Sequence, residues 1–442
     1  MKNLVLALSA CALFSCQETV NKTVIISGTI IDPLGETASV SSAKNSYTDS
    51  LDSKATFEIE FEMDAPGYMN FKHGKESTAM YVKPGDRIEV SINPTEFDET
   101  INYKGSKASS FLAKKYLIEE GVDFKELYSL EELEFLTAVT EGNSQMNGLL
   151  DSVAEGTFKT EQKRAILLQW ASKKLNYKKY YEYLGNGTLE LSANYFNFME
   201  DIDVNDPSFL EDENSYNFLK TYVSSNVSTE FDHELLSNFD FISKSFNNQT
   251  TKDKIAYDLL KDFIKNEALE EVALIMEGYK TIQSDSTKYN ELNDLVIEMS
   301  VFNAGKPAFD FTYPNVSGDT VSLSDFVGSL VYVDVWATWC GPCKREIPHL
   351  IELEKEYHGK NIIFLSVSVD EEKDYDAWKN MLAEKEMGGV QLFASGWSKI
   401  AKDYKINGIP RFMLFDTNGN IITVRAPRPS NEGIRTLIDK HL

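Results

Sequence analysis

Proline placement is the feature that most restricts how this 442-residue chain can fold. Four prolines lie within the first hundred residues, seven lie beyond Gly305, and only Pro207 interrupts the long segment between them. Because proline is excluded from helix interiors, this distribution predicts a helical middle flanked by turn-rich ends. The chain is also longer than one hydrophobic core supports, so two or three domains are expected.

The residues before position 300 show two different patterns of apolar residues. Residues 23–104 contain short runs rich in Val, Ile and Thr, separated by turn sequences such as DPLG and KPGD, and predict a small antiparallel β domain. The run ATFEIEFEM places Phe57, Ile59 and Phe61 on one face and charged residues on the other, as in a strand with one solvated face. Residues 105–299 have apolar residues at helical spacing and predict a mainly α-helical middle domain, whose pattern indicates no function.

Residues 300–442 alternate between strand and helix patterns, which predicts one α/β domain. SLVYVDVWA is apolar along nearly its whole length, as expected for a central strand that is covered on both faces. NIIFLSVSVD and RFMLFD predict further strands, whereas DAWKNMLAEKEM and GIRTLIDKH have the apolar periodicity of helices.

The cysteines indicate the chemistry of this last domain. The chain has four, of which two lie near its start, so Cys340 and Cys343 are the thiols of the folded body. They form a C-x-x-C motif between the predicted central strand and a helix, the arrangement of a dithiol redox centre. At the helix N-terminus, unpaired N–H groups would lower the pKa of the Cys340 thiol. A zinc site with His349 and His358 is the alternative, but their spacing is not that of zinc fingers, so we expect no metal or other cofactor.

The first fifteen residues have the pattern of an export signal, because a positive charge precedes an apolar run too short to span a bilayer. Cys16 follows a small residue at the end of this run, as in the lipobox of bacterial lipoproteins. It is the predicted lipidation site, with residues 16–22 as the lipidated cysteine and a short tether. Cys11 is the alternative lipidation site, and an ordinary secretory signal with an incidental cysteine is the alternative to lipidation.

A net charge of −25, from 69 acidic and 44 basic side chains, argues against partners that are held mainly by Lys and Arg. Nucleic acid and anionic lipid headgroups are both partners of that kind. Membrane attachment is therefore expected to depend on acyl chains. The predicted location is extracytoplasmic, on the periplasmic side of the inner or outer membrane.

The segments VYVDVWATWCGPCKREIPHL and INGIPRFMLFD resemble thioredoxin-like proteins, and more specifically the membrane-anchored thiol–disulfide oxidoreductases of the TlpA/ResA type. The resemblance covers residues 304–442 and implies a thioredoxin-like fold in which Cys340 attacks a substrate disulfide and Cys343 resolves the mixed disulfide. Asp334 matches the buried acid of thioredoxins, which exchanges a proton with the resolving thiol. Glu346 matches the active-site glutamate of ResA-like proteins. The plainer alternative for either acid is an ion-pairing group.

The resemblance also identifies Ile409-Pro410 as the cis-proline loop of the family, which would bring the Ile409 backbone beside Cys340 for pairing with an extended substrate. Trp339 is expected to border this docking surface and Trp336 to lie in the core. The implied partners are protein thiols and disulfides, with a membrane or periplasmic thiol as electron donor. Apocytochrome thiols in cytochrome c biogenesis are one typical substrate of the family.

The predicted function is therefore an extracytoplasmic thiol–disulfide oxidoreductase that reduces or isomerises disulfides of exported proteins. The first alternative is a binding lipoprotein whose helical domain holds a peptide or glycan and whose thioredoxin-like domain is a scaffold. The second is a thiol peroxidase of the related peroxiredoxin group. That group needs a threonine three residues before its reactive cysteine and a proline four residues earlier still, where this chain has Ala337 and Val333.

Overall fold

The computed structural model describes residues 21–226, 233–266 and 271–442. The chain divides into two compact units, Met1–Ser225 and Asn226–Leu442. The helices that the sequence predicts as a single middle domain are shared between these two units.

The predicted export signal, with Cys16 and the alternative Cys11, lies outside the described residues, so lipidation stays a prediction. Across the described ranges, every helix is either too short or too polar to cross a bilayer.

The amino-terminal strands form two four-stranded sheets whose apolar faces share one core. The elements are β1 (Thr23–Ile30), β2 (Thr37–Ser41), β3 (Ser46–Ser50), β4 (Thr56–Glu62), β5 (Gly67–His73), β6 (Glu76–Val82), β7 (Arg87–Ile92), α1 (Phe97–Thr100) and β8 (Asn102–Lys104). The strand orders are β4-β1-β7-β8 and β3-β2-β5-β6. Phe57, Ile59 and Phe61 of β4 are buried in the shared core, as their alternation predicts.

The predicted antiparallel pairing is wrong for one pair of strands, because β1 and β7 run parallel. Tight turns force consecutive strands to run in opposite directions, whereas a long connection leaves the direction open. Five intervening strands and more than fifty residues separate β1 from β7, so the local turn signals carry no information about this pairing.

In the described part of the first unit, six further helices follow the two sheets, and buried aromatic and aliphatic side chains of this region form a second core. Phe135 and Tyr177 are fully buried and stack with their ring centroids 3.9 Å apart. The Tyr and Phe residues of this region therefore contribute largely to packing. The helices are α2 (Lys107–Glu120), α3 (Phe124–Tyr128), α4 (Glu132–Leu150), α5 (Thr157–Leu175), α6 (Tyr177–Tyr183) and α7 (Glu213–Ser224).

The second unit begins with four more helices, which lie within the predicted helical middle. In the helix Gln249–Asn266, Ile255, Leu260 and Ile264 are buried along one face, as their spacing predicts. These helices are α8 (Glu234–Ser245), α9 (Gln249–Asn266), α10 (Val272–Ile282) and α11 (Ser286–Met299). Short 3-10 turns of the described chain are Pro94–Glu96, Tyr195–Asp201, Pro207–Leu210, Ser300–Phe302, Leu323–Phe326 and Glu372–Asp374.

The rest of the second unit is a mixed five-stranded sheet with helices and a short hairpin. Its elements are β9 (Thr312–Pro314), β10 (Thr320–Ser322), β11 (Leu330–Trp336), α12 (Gly341–Glu356), β12 (Ile362–Ser368), α13 (Tyr375–Glu384), β13 (Val390–Phe393), α14 (Lys399–Asp403), β14 (Arg411–Phe415), β15 (Ile421–Thr423) and α15 (Gly433–His441). The sheet order is β13-β12-β11-β14-β15, in which β11 is parallel to β12 and antiparallel to β14. All seven residues of β11 are buried, which confirms the predicted central strand.

Candidate active site

The cysteine pair lies where the central strand β11 gives way to α12. Cys340 is the N-cap of α12, and its sulfur lies 3.1 Å from the backbone nitrogen of Cys343. Pro342 fits the first turn of the helix, where its missing N–H would have no partner in any case. Cys340 and Cys343 form a disulfide, with their Cα atoms 5.3 Å apart. The predicted location of Cys340 at the head of a helix is thus confirmed.

A proline loop borders this disulfide. The Ile409–Pro410 peptide bond is cis, and the carbonyl oxygen of Ile409 lies 3.7 Å from the Cys340 sulfur. A disulfide sulfur carries no proton, so this contact is not a hydrogen bond in the oxidised protein. Trp339 is 56% exposed beside the pair, whereas Trp336 is 1% exposed and belongs to the core. The structure therefore brings the predicted docking residues together at the cysteines, while their role in docking stays a prediction.

Asp334 is buried in the middle of β11, on the face of the sheet that packs against α12. Burial, and to a smaller extent the nearby carboxylates of Glu346 and Glu354, raise the pKa of its carboxyl from 3.8 to about 8. Its Oδ1 atom is buried and has no hydrogen-bond partner among the residues that the structure describes. A carboxyl with a pKa of about 8 is partly ionised near neutral pH, so it can both give and take a proton there.

Glu346 is buried as well, but its surroundings differ from those of Asp334. Its carboxylate accepts a hydrogen bond of 3.1 Å from the Ser430 backbone N–H and one of 3.0 Å from the Ser430 hydroxyl. The Arg428 guanidinium lies 3.9 Å away. These contacts tie α12 to the loop before α15. The contacts of Glu346 are therefore those expected of an ion-pairing group, which is the plainer alternative for this residue.

Glu354 is a third acid near the site, and the sequence analysis did not predict it. It lies two turns beyond Glu346 on α12, and burial raises the pKa of its carboxyl to about 7. Its carboxylate also contributes to the raised pKa of Asp334. The available signal was helical spacing, because Glu354 follows the buried Leu350 by four residues and so continues the inward face of the helix.

Asp370 is a second residue that the sequence did not indicate. It is fully buried just after β12, and its carboxylate accepts hydrogen bonds from the Thr338 hydroxyl at 2.7 Å, the Thr338 backbone N–H at 3.0 Å and the Ser368 hydroxyl at 2.6 Å. Thr338 lies two residues before Cys340, so this carboxylate fixes the loop that delivers the reactive sulfur. Once the register of β11 on β12 is known, the contact can be inferred. Trp336 pairs with Ser368, so Thr338 and Asp370 lie at matching positions two residues further along.

The zinc alternative gains no support from the site. Within the described part of the chain, no group of three or more His, Cys, Asp or Glu side chains could hold a metal ion. His349 and His358 are both exposed on or just beyond α12, away from the buried disulfide.

Residues 304–424 match the model of the AhpC/TSA family. They form a thioredoxin-like domain of this family. The thiol–disulfide oxidoreductase ResA of Bacillus thuringiensis subsp. konkukian is 30% identical over 118 residues, which is 27% of this chain and 66% of that protein. ResA of Geobacillus kaustophilus is 27% identical over 154 residues, or 35% of this chain and 84% of the relative. The chain thus spans just under two thirds of the first of these relatives.

Solved structures extend the likeness to other bacteria. A crystal structure from Bacteroides vulgatus, assigned to the thiol–disulfide oxidoreductases, is 40% identical and covers 32% of this chain and 99% of its own. Its TM-score is 0.30, so the family assignment depends on the sequence matches and not on this superposition. The relatives are thiol–disulfide oxidoreductases, which is the enzyme class that the C-x-x-C motif predicts.

Proposed function

We propose that this protein is an extracytoplasmic thiol–disulfide oxidoreductase that reduces or isomerises disulfides of exported proteins. The observation that carries the proposal is the Cys340–Cys343 disulfide at the head of α12, beside a cis-proline loop and preceded by a strand that carries a buried acid, Asp334. In this proposal Cys340 is the nucleophile and Cys343 is the resolving thiol. The Ile409 backbone docks the substrate, and Asp334 accepts the proton.

The forward reaction starts from the reduced pair. The N–H of Cys343 points at the Cys340 sulfur, and together with the helix dipole it stabilises a thiolate there. This thiolate attacks one sulfur of a substrate disulfide, which forms a mixed disulfide and expels the other substrate sulfur as a thiolate. The Ile409 carbonyl is close enough to hold the substrate backbone during this step.

Resolution requires the second cysteine to lose its proton. The Asp334 carboxylate takes the proton of the Cys343 thiol, and the resulting thiolate attacks the Cys340 sulfur. The Cys340–Cys343 disulfide forms and the substrate leaves as a second thiolate. The substrate has gained two electrons and the enzyme pair has lost two, so a thiol donor must reduce the pair before the next cycle.

The direction of electron flow follows from the dipeptide between the cysteines. Gly341-Pro342 is the pair found in thioredoxin, whose reduction potential of about −270 mV makes it a reductant. A disulfide reductase or isomerase is therefore favoured over an oxidant. The peroxidase alternative lacks support, because Val333 and Ala337 are buried apolar residues at the two positions where that chemistry needs proline and threonine.

The extracytoplasmic part of the proposal depends on the export signal and Cys16. An acyl-anchored protein would meet the thiols of exported proteins, such as apocytochromes awaiting haem attachment, on the outer side of the inner membrane. The strong negative charge of the chain is compatible with anchoring by acyl chains alone.

Reduction of insulin disulfides by the purified protein, with a dithiol as electron donor, tests the activity. We expect turnover in the wild type and none in Cys340→Ser. Cys343→Ala, expressed in the native host, should accumulate mixed disulfides with its substrates, which mass spectrometry identifies. The matched control is the double variant Cys340→Ser/Cys343→Ala, which should capture nothing. A wild type that is inert with every donor would instead support the binding lipoprotein.

A further inference from the structure

The proposed mechanism requires Asp334 to exchange protons with solvent, although its carboxyl is buried. Its neighbour on β14 is Phe412, and Tyr332 and Trp336 flank it along its own strand on the same face. The Tyr332 hydroxyl already donates to the Pro427 carbonyl at 2.7 Å. The Trp336 indole N–H is buried without a partner among the described residues, but it can only donate and so cannot pass a proton on. Groups that can accept and release a proton therefore remain on the side toward β12.

Strand register places a row of polar side chains on that side. Asp334 of β11 pairs with Ser366 of β12, and Ser366 pairs with Gln391 of β13. Paired residues on neighbouring parallel strands point to the same face, and a strand spacing of about 4.8 Å makes the row about 10 Å long. All three residues are buried. The core on this face is otherwise built from apolar residues such as Leu330 and Phe364.

Two atoms in this row have unmet hydrogen-bonding capacity. Asp334 Oδ1 and Gln391 Oε1 are both buried without a partner in the described part of the chain. Buried polar atoms are nearly always paired with protein or ordered water, so such exceptions need a reason. A buried water needs two to four polar partners, and the row offers the Asp334 carboxyl, the Ser366 hydroxyl and the Gln391 amide.

The outer end of the row is the Glu354 carboxylate. The Gln391 side-chain amide donates to the Gly388 carbonyl at 2.7 Å. A Cβ atom at Gly388 would lie 2.5 Å from Glu354 Oε2, and one at Gly389 would lie 2.9 Å from Glu354 Oε1. The carboxylate thus lies directly against a turn that has room for it only because both residues are glycine. Glu354 is only half-buried, so it also reaches water.

Glu346, the other acid of α12 near Asp334, is not part of this row. Its carboxylate accepts two hydrogen bonds from Ser430 and lies 3.9 Å from the Arg428 guanidinium. These partners belong to the loop before α15 and not to β12 or β13, so Glu346 faces away from the row.

We propose that Ser366, Gln391 and Glu354, with intervening water, form the route by which Asp334 exchanges protons with solvent. This proposal builds on the proposed function, in which Asp334 takes the proton of Cys343. In each resolving step the proton passes from the Cys343 thiol to Asp334, along the row to Glu354, and then to bulk water. No electron moves along the route, since the electron pair that forms the new disulfide comes from the Cys343 sulfur.

The route matters because Asp334 is seldom ready to act as a base at neutral pH. A carboxyl with a pKa of about 8 is only about one-tenth ionised at pH 7. The proton must therefore leave before Cys343 can be deprotonated, and a sealed carboxyl would delay that step.

The resolving step can be isolated by stopped-flow mixing of the reduced full-length protein with 5,5′-dithiobis(2-nitrobenzoate). Its nitrothiobenzoate leaving group is coloured and remains unprotonated, so attack by Cys340 and resolution by Cys343 appear as two successive absorbance steps. Cys11 and Cys16 are replaced by serine in every protein so that only the site thiols react. We compare Glu354→Gln and Gln391→Leu with Glu352→Gln, which removes the same charge from an exposed position of α12.

The direction of the Glu354→Gln effect separates a relay from an electrostatic role. Loss of a nearby negative charge lowers the pKa of Asp334, so a purely electrostatic role predicts a faster second step at pH 7. The proton route predicts a second step slower by about tenfold, less than the roughly hundredfold supplied by a group that itself acts as acid or base. Gln391→Leu, which changes no charge, should show the same delay, and both should approach the wild-type rate near pH 9.5. Glu352→Gln should behave as wild type.

Second steps as fast as wild type in both Glu354→Gln and Gln391→Leu would overturn the route. Ser366→Ala replaces Gln391→Leu if that variant fails to fold. Failure of the proposed function looks different, because the wild type itself would then show no second step, or Asp334→Asn would resolve as fast as wild type.

Discussion

Replacement of Asp334 by Asn should change how the stability of the protein depends on pH. Burial raises the pKa of this carboxyl to about 8, whereas in the unfolded chain it should titrate near the ordinary value of 3.8. Between these two values the unfolded state has released the proton and the folded state still holds it. Stability of the wild type therefore falls as pH rises from about 4 to about 8, and is constant outside that window as far as this group is concerned.

The size of the effect follows from the shift. Each pKa unit corresponds to about 1.4 kcal/mol, so about four units cost the wild type about 6 kcal/mol above pH 8 and about 4 kcal/mol at pH 7. Asn cannot ionise and escapes this cost. Its amide adds a second N–H donor to a buried site, which costs about 1–3 kcal/mol at every pH. The variant should therefore be no more stable than wild type at pH 4 and should gain about 4 kcal/mol on it by pH 7.

The measurement is unfolding of the oxidised full-length protein in guanidinium chloride at pH 4, 5, 6, 7 and 8. Hydrogen exchange of the peptide that contains β11 assigns the relevant transition to this domain, since the chain has two compact units. The pH-independent cost of the amide cancels when the slopes are compared. Parallel stability curves for variant and wild type between pH 4 and pH 8 would show that Asp334 titrates near its ordinary pKa, and the reasoning about its role as proton acceptor would fail with it.

Three further expectations concern other parts of the site and the anchor. Asp370→Asn should lower the free energy of unfolding by about 1–3 kcal/mol, because one donor on Thr338 or its neighbour loses its acceptor, and faster alkylation of reduced Cys340 in the variant would report the loosened loop. Glu346→Gln should shift the pH dependence of resolution to lower pH by less than one unit, because loss of its charge lowers the pKa of Asp334, and a larger shift would instead give Glu346 a direct part in proton transfer. Cys16→Ser should release the protein from the membrane fraction in its native host, and continued sedimentation with membranes would contradict lipidation at this residue.

Local patterns predicted the elements that carry the chemistry. The apolar run of β11 and the C-x-x-C after it are contiguous in sequence, so the strand, the helix start and the position of Cys340 could be predicted without knowledge of the fold. The resemblance to thioredoxin-like proteins added the cis bond before Pro410, which no local pattern indicates. The strand, the helix start and the position of Cys340 depend on residues that are close together in the chain, so they can be predicted directly from the sequence.

Features that depend on long-range pairing could not be predicted in the same way. Asp370 contacts Thr338 only because β12 pairs with β11 in one register, and Glu354 reaches Gly388 only because α12 packs beside the turn that precedes β13. The parallel pairing of β1 with β7 and the division of the helices between two compact units have the same origin. Each is decided by which surfaces meet after folding, and residue spacing along one element contains no record of that.

The surroundings of the two predicted acids also separate a chemical role from an ion-pairing role. Glu346 has a cation and two hydrogen-bond donors at its carboxylate, so its burial is balanced by contacts that any structural acid would need. Asp334 has the opposite environment, since the charged groups that act on it are both acids and one of its oxygens is unpaired among the described residues. A buried apolar residue of similar size would avoid a cost of several kcal/mol at neutral pH. Stability alone therefore argues against an aspartate at this position, and the proposed proton exchange with Cys343 would account for it.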